Sequence, residues 1–140
     1  MKNFLLLCKL LFAFSVFSTN TFADELRDFM LKQVQSKEFP SELYIEEYQA
    51  FIITDGNYEV VTKANLKDLM EIVKEQKLTP NIKSFRILSR SETEDFVSAT
   101  FEYDWEISVG NTNMDGKMSG ISVLLKTDSG YISIFDAQTQ

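Results

Sequence analysis

The segment FVSATFEYDWEISV, residues 96–109, alternates apolar and polar side chains from end to end. A repeat of two residues is the spacing of a β-strand, in which successive side chains lie on opposite faces of a sheet. A shift by one residue would bury three carboxylates, so the register is well defined. We therefore predict one long strand whose apolar face packs on a core. That face carries Val97, Ala99, Phe101, Tyr103, Trp105, Ile107 and Val109, and the polar face carries Ser98, Thr100, Glu102, Asp104, Glu106 and Ser108.

Strand-like segments flank this one on both sides. Residues 81–89 precede it, and residues 117–127 and 131–137 follow it. The intervening residues 111–116 and 128–130 are rich in Asn, Asp, Ser and Gly, which favour turns. The second half of the chain is therefore predicted to be an antiparallel meander.

A hairpin and a helix are predicted before the meander. Asp55-Gly56-Asn57 separates residues 50–54 from residues 58–62, and an Asp-Gly pair favours a hairpin because the turn needs positive φ. Thr62 can cap a helix that runs to about Gln76. Its apolar residues recur at helical spacing and are expected to form one buried stripe, made of Leu66, Leu69, Met70 and Val73.

Two helical segments are predicted at the start of the domain. Residues 24–37 place apolar side chains on one side, and acidic residues in the first turn favour the helix dipole. Pro40-Ser41-Glu42 ends this helix. Residues 43–48 are predicted to form a short second helical turn, which would point Leu43, Tyr44 and Tyr48 inward.

Helices, a hairpin, a helix and long antiparallel strands define an α+β domain. In the segments FIITDG (51–56), VTKANL (61–66) and LLKTDSGYISI (124–134), the chain resembles the nuclear transport factor 2-like superfamily, and the SnoaL-like bacterial domains most of all. Tyr131 stands where many relatives have Trp. The resemblance covers nearly all of residues 24–140.

This resemblance implies a cone-shaped, curved antiparallel sheet wrapped around N-terminal helices, the cystatin-like arrangement, with an apolar pocket inside. It also implies a tendency to form homodimers through the outer face of the sheet. The superfamily includes ketosteroid isomerase, polyketide cyclases, dehydratases and binding domains. The fold therefore does not select a function.

Residues 1–23 are predicted to be an export signal. Lys2 and Lys9 supply positive charge, residues 10–17 form an apolar run, and Thr21-Phe22-Ala23 offers small residues at positions −3 and −1 of a cleavage site. The apolar stretch is shorter than the roughly 20 residues that a membrane-spanning helix needs. The mature domain is therefore expected to be residues 24–140, periplasmic or secreted, without a membrane span.

The composition excludes several kinds of chemistry. The chain has no His, and its single cysteine, Cys8, lies in the predicted leader. Ser-His-Asp and Cys-His catalysis and the usual zinc sites are therefore ruled out for the mature domain. Its 12 basic and 21 acidic residues give a net charge of −9, which disfavours nucleic acid as a partner. Residues 111–116 resemble a calcium loop, but the first position, Asn111, is not Asp and the twelfth, Ser122, is not the Glu that such a loop needs. No cofactor or metal is expected.

Carboxylates and tyrosines are the groups left for chemistry. The resemblance indicates Asp136 on the last strand as a pocket acid, with Tyr44 or Tyr48 as hydrogen-bond donors. The alternative is that Asp136 ends a solvent-exposed strand and the tyrosines are ordinary core. Glu102, Asp104 and Glu106 are expected to form a solvated face rather than a metal site. Five aromatic residues either line a ligand pocket or are plain core: Phe51, Phe85, Phe101, Tyr103 and Trp105.

Three functions remain open from the sequence. We favour a non-enzymatic exported domain that binds a small apolar ligand or dimerises, because no acid–base pair stands out and no His is available as a proton carrier. The second is a cofactor-free isomerase, cyclase or dehydratase that uses Asp136 with Tyr44 or Tyr48. The third is a protein-interaction module of the cell envelope.

Overall fold

The computed structural model describes residues 19–36, 38–76, 78, 80–109 and 111–139. Most of the predicted leader, with Cys8, lies outside these residues. The helices are α1 (Thr19–Gln35) and α2 (Lys63–Glu75), with a 3-10 turn at Ser41–Leu43 between them. The strands are β1 (Tyr44–Thr54), β2 (Asn57–Thr62), β3 (Asn81–Glu92), β4 (Phe96–Val109), β5 (Thr112–Thr127) and β6 (Gly130–Thr139).

The six strands form one curved sheet in the order β2-β1-β6-β5-β4-β3. The α+β class and the meander of the second half are confirmed. The sheet is mixed, however, because β1 and β6 pair in parallel while all other neighbours are antiparallel. A parallel pair needs a crossover connection, which α2 and strands β3–β5 supply here.

Strand β4 confirms the prediction from its alternating sequence. It spans Phe96–Val109 and pairs with β5 without interruption from Phe96↔Leu125 to Val109↔Thr112. Four of its predicted core residues are buried: Val97, Ala99, Phe101 and Tyr103. The predicted turn at residues 111–116 is wrong, because β5 begins at Thr112 and Gly116 already pairs with Trp105.

The helical turn predicted at residues 43–48 is also wrong. Only Ser41–Leu43 is helical, and the chain is extended from Tyr44 onward. Strand β1 has neighbours on both sides, β2 and β6, so tertiary pairing extends it beyond the residues 50–54 that were predicted. Tyr44 and Tyr48 still point inward, but from a strand.

Helix α2 begins where it was predicted, but its apolar residues are more exposed than the sequence predicted. The Thr62 hydroxyl accepts a hydrogen bond from the Asn65 backbone N–H, and the Asn65 side chain accepts one from the Thr62 backbone N–H, which makes a capping box. No residue of α2 is fully buried, and Leu69 is 44% exposed. The predicted buried stripe is therefore wrong, because α2 covers only the β1–β2 hairpin at one edge of the sheet.

The sheet has an inner face, which packs on the helices, and an outer face. On the inner face, Leu26 and Met30 of α1 lie against residues of β3, β4 and β5, including Phe85, Phe101 and Leu124. A second cluster forms between the 3-10 turn, β1 and β2. No helix among the described residues is long and apolar enough to cross a membrane.

Candidate functional site

Asp136 lies on the inner face of β6 and is only 5% exposed. Its backbone neighbours are Ser122 on β5 and Ala50 on β1, both of which are buried. The alternative in which Asp136 ends a solvent-exposed strand is therefore wrong. A buried carboxylate is costly unless other groups donate hydrogen bonds to it, so its partners are decisive.

Three hydroxyl groups donate to the Asp136 carboxylate. Ser122 Oγ donates to Oδ1, and Tyr48 OH donates to Oδ2. Ser133 Oγ also faces Oδ2, at 3.5 Å. Because Tyr48 belongs to β1, Ser122 to β5 and the other two residues to β6, the cluster connects three adjacent strands.

Burial and hydrogen bonding act on the Asp136 carboxyl in opposite directions. Burial raises its pKa above the ordinary value, while the hydrogen bonds from Ser122, Tyr48 and Ser133 lower it, and burial dominates. Burial and the charge of Asp136 likewise raise the pKa of Tyr48, so this phenol keeps its proton and acts as a donor. The pair therefore consists of a neutral phenol and a carboxyl whose protonated form is favoured more than in water.

Two more tyrosines surround this pair. The ring of Tyr44 lies edge-on to that of Tyr48, with 4.7 Å between centroids. Burial and the charge of Asp136 raise the pKa of Tyr44, while the Gln33 side chain of α1 beside its hydroxyl lowers it. Burial and the charge of Asp136 also raise the pKa of Tyr103, to about 12. The structure thus brings the predicted residues Asp136, Tyr44 and Tyr48 together and adds Tyr103.

A layer of aromatic rings continues from this cluster along β3 and β4. Phe85, Phe101 and Tyr103 stack nearly parallel, with centroids 5.9 to 6.1 Å apart. Trp105 extends the layer and packs over Gly116, where a β-carbon, if the glycine were replaced, would come within 2.6 Å of the indole. The indole Nε1 is shielded from solvent and has no hydrogen-bond acceptor among the described residues.

Phe51 does not belong to this lining. It pairs with Val60 and Ala137, one residue out of phase with the inward-facing Ala50 and Asp136. Its ring instead contacts Phe135 on the outer face, with 5.6 Å between centroids. The prediction that Phe51 lines an internal pocket is corrected, because the register of β1 turns its side chain away.

Ser122 and Ser133 were missed in the sequence. Their signal was present, since each is a small polar residue within an apolar strand segment, ISVLL or YISIF. Strict alternation could not place Ser133 and Asp136 on one face, because three residues separate them. A register shift in the β5–β6 pairing, between Val123 and Leu124, makes both side chains face inward.

The polar face of β4 is neutralised by its neighbours. Glu102 pairs with Arg86 and Lys117, and the hydrogen bond from Lys117 is the main reason that the pKa of Glu102 is lowered. Asp104 accepts a hydrogen bond from Ser84 at 2.5 Å. The expected solvated face is therefore an ion-paired outer face. Among the described residues, no three His, Cys, Asp or Glu side chains lie close enough to hold a metal ion.

Comparison with known proteins shows which fold this architecture resembles. No family model and no curated protein matches the sequence. Among solved structures, a nuclear transport factor 2-like protein with a cystatin-like fold from Novosphingobium aromaticivorans is 13% identical, with a TM-score of 0.59 over 99% of this chain and 88% of that one. A candidate dehydratase of the same family from Streptomyces avermitilis is 9% identical, with a TM-score of 0.65 over 87% and 97%.

A ketosteroid isomerase-like protein from Erwinia carotovora atroseptica is 10% identical, with a TM-score of 0.54 over 84% of this chain and 86% of that one. A curved sheet whose inner face packs on helices places the chain in the class of small cone-shaped α+β domains. Within that class, the chain has the nuclear transport factor 2-like fold. At these identities the likeness shows the fold alone.

The raised pKa of Asp136 predicts a specific pH dependence of stability. Between the unfolded-state pKa, about 3.9, and the higher native pKa, the folded state binds more protons than the unfolded state. Raising the pH through that window therefore destabilises the wild type. Asp136→Asn removes this effect, so the free energy of unfolding of the wild type should fall relative to the variant, by about 1.4 kcal/mol for each pH unit that separates the two pKa values.

Urea unfolding of both proteins at roughly pH 4 and pH 8 measures this difference. Carboxylates such as Glu92 and Glu102, whose pKa values are lowered, act in the opposite direction but are present in both proteins. A difference between wild type and variant that does not change with pH would contradict the buried acid.

Proposed function

We propose that this protein is a non-enzymatic domain that binds a small, mainly apolar ligand on the inner face of its sheet. One observation carries the proposal: the polar groups of that region converge in a compact cluster at Asp136, next to a layer of aromatic rings. Small-molecule sites have this composition, a mostly apolar lining with few, well-placed polar groups. Phe85, Phe101, Tyr103 and Trp105 would supply the apolar surface.

Binding is favoured over catalysis by the way the acid is held. Both oxygens of Asp136 already accept hydrogen bonds from the protein's own hydroxyl groups. A general base must reach the proton that it removes from the substrate. An acid whose oxygens are engaged by Tyr48 and Ser122 is better suited to orienting side chains than to transferring protons.

The alternative is a cofactor-free isomerase, cyclase or dehydratase that uses Asp136 with Tyr48 or Tyr44. The observation that favours it is a buried acid of raised pKa beside a protonated phenol, a combination suited to proton transfer. Structural neighbours described as a candidate dehydratase and as ketosteroid isomerase-like are consistent with it. In this alternative, Ser122 or Tyr48 would have to release an oxygen of Asp136 when substrate binds.

The chemistry of the inner face favours an uncharged ligand. No Lys or Arg among the described residues forms an ion pair with Asp136, so an anion would meet an acid without a compensating cation. The buried indole N–H of Trp105 also has no acceptor among the residues that the structure describes. A carbonyl or hydroxyl oxygen on an otherwise apolar ligand would satisfy it.

Trp105 is the only tryptophan, so its fluorescence reports on this region directly. We expect a neutral apolar probe such as Nile red to bind saturably and to change that fluorescence. A ketone that displaces the probe should bind Trp105→Phe about 2- to 12-fold more weakly, the value of one hydrogen bond. In the variant, displacement is followed by the emission of Nile red itself.

Tyr58→Phe, on the outer face and 74% exposed, is the matched control and should bind like the wild type. Absence of saturable binding would overturn the ligand proposal. Turnover of an enolisable ketone that Asp136→Asn abolishes and Tyr58→Phe preserves would establish the enzyme instead.

We further propose that two copies pair through the outer face. On β2, β1, β6 and the second half of β5 this face is apolar, whereas on β4, β3 and at Lys117 of β5 it carries ion pairs. The register places the following side chains on the apolar part: Phe51, Ile53, Tyr58, Val60, Ile121, Val123 and Phe135. Several of them are well exposed, as expected for a surface that a second copy covers. A second copy fits because the patch would meet an identical apolar patch across a two-fold axis.

Light scattering after size exclusion should give twice the mass of the chain for the wild type. Val60→Asp places a charge on the apolar part, beside Phe51, and should shift the protein to a monomer, because burying two unpaired carboxylates is costly. Ser91→Asp on the far edge strand β3 is the control and should remain dimeric. A wild type that is monomeric, or a Val60→Asp variant that is still dimeric, would contradict pairing through this face.

We also propose that residues 1–23 are removed during export. The support is the charge and hydropathy pattern of the leader and the small residues before Asp24. Intact mass and N-terminal sequencing of the full-length gene product expressed in a bacterium should give a chain that starts at Asp24 in the periplasm or medium. A product that retains Met1 in the cytoplasm would refute export.

A further inference from the structure

A groove of about 370 Å³ lies at one end of the sheet, where the β3–β4 and β5–β6 turns meet α1 at Glu25. Its charged and aromatic lining consists of Glu25, Arg90, Glu92, Lys126, Asp128 and Tyr131. Arg90 shares a row of paired residues with Ala99, Ser122 and Asp136 on successive strands. Three strand spacings, roughly 14 Å, therefore separate Arg90 from Asp136 along this row.

The basic residues of this groove are held by a single carboxylate oxygen. Glu92 Oε2 accepts from Arg90 Nη2 at 2.9 Å and pairs with Lys126 Nζ at 3.1 Å. The Glu92 side chain is 46% exposed, so it can swing into solvent. Lys126 is also fixed by a hydrogen bond of 2.7 Å to the backbone oxygen of Thr93.

To the residues that the structure describes, the Arg90 guanidinium donates a hydrogen bond through Nη2 but none through Nε. Its Nε is shielded from solvent and has no acceptor among the described residues, although the side chain is only 22% exposed. Nε and Nη2 lie on one edge of the guanidinium and form the fork that binds both oxygens of a carboxylate. Glu92 engages one prong of this fork. A second carboxylate that took both prongs would satisfy the buried donor and release Glu92.

The rest of the groove carries the opposite charge. Glu25 and Asp128 line it together with Glu92, so three acids face two bases. A simple anion would be repelled by the acids, and a simple cation by Arg90 and Lys126. A ligand with one group of each sign matches both. Tyr131, whose ring packs edge-on against Phe29 at 5.7 Å, offers a fixed apolar wall for the remainder of the ligand.

We propose that this groove binds a small zwitterion with one carboxylate and one ammonium group, the class of free α-amino acids. The carboxylate occupies the fork of Arg90, and the ammonium group lies toward Glu25 and Asp128. Glu92 is an internal competitor that holds the two bases when no ligand is bound. The site is separate from the ligand region at Asp136 and does not depend on it.

The test is ligand-observed NMR of the full domain with pooled standard amino acids, followed by calorimetry on the amino acid that binds. We expect a dissociation constant below roughly 1 mM. Arg90→Gln should weaken binding about 10-fold or more, because it removes a charge-assisted bidentate contact. Glu92→Gln should tighten binding several-fold, because it removes the competitor. A purely structural Glu92 would give no change or weaker binding.

Arg86→Gln on the outer face of the same strand is the control and should bind like the wild type. The N-acetyl derivative and the α-amide of the bound amino acid, each lacking one charge, should bind at least about 10-fold more weakly. Equal binding of the N-acetyl derivative would show a plain anion site, and equal binding of the amide a plain cation site. Either result, or no binding by any amino acid, would overturn the proposal. Nile red binding should be unchanged in Arg90→Gln.

Discussion

The burial of one carboxylate constrains the architecture of this domain. Asp136 is taken out of water in the middle of the inner face, and the cost is offset only if hydroxyl donors reach it. Tyr48 and Ser122 must therefore arrive from the strands on either side of β6. Any other register of β1 would remove the Tyr48 donor, and any other register of β5 would remove the Ser122 donor. The parallel pairing of β1 with β6 thus depends on a polar contact as much as on apolar burial.

The part of the fold that follows from local sequence was predictable. Strand β4 has its full alternation within one segment, and Thr62 has its capping partner Asn65 only three residues away. The start of β1 was not predictable in this way, because Tyr44 becomes extended through pairing with a strand that lies almost ninety residues later. For helix α2, local sequence predicted the helix but not its burial. Its apolar residues recur at helical spacing, but the sheet edge is too narrow to cover them.

The sequence predicted which residues form the site but not the elements that carry them. Asp136, Tyr44 and Tyr48 were named from the resemblance, and they meet, but from strands instead of a strand and a helix. Phe51 was misplaced because the face on which a β1 residue lies depends on a register that local sequence does not define. Ser133 was missed because a register shift turns it to the same face as Asp136, and such irregularities follow from long-range pairing. Ser122 was missed because its contact with the acid depends on the register between β5 and β6. Arg90 was not singled out because Lys126 and Asp128, which line the same groove, lie more than thirty residues later in the chain.

Three surfaces of one sheet are chemically distinct: an inner face with the buried acid Asp136, an outer face that is half apolar, and a charged groove at one end. The inner face depends most directly on the protonation of Asp136. A ¹³C NMR titration of its side-chain carboxyl carbon, assigned by comparison with Asp136→Asn, measures this property at the residue itself. We expect a titration midpoint above about 3.9, the ordinary value for aspartate. A midpoint at or below that value would contradict a burial-dominated acid, because the carboxylate would then be stabilised rather than penalised where it lies.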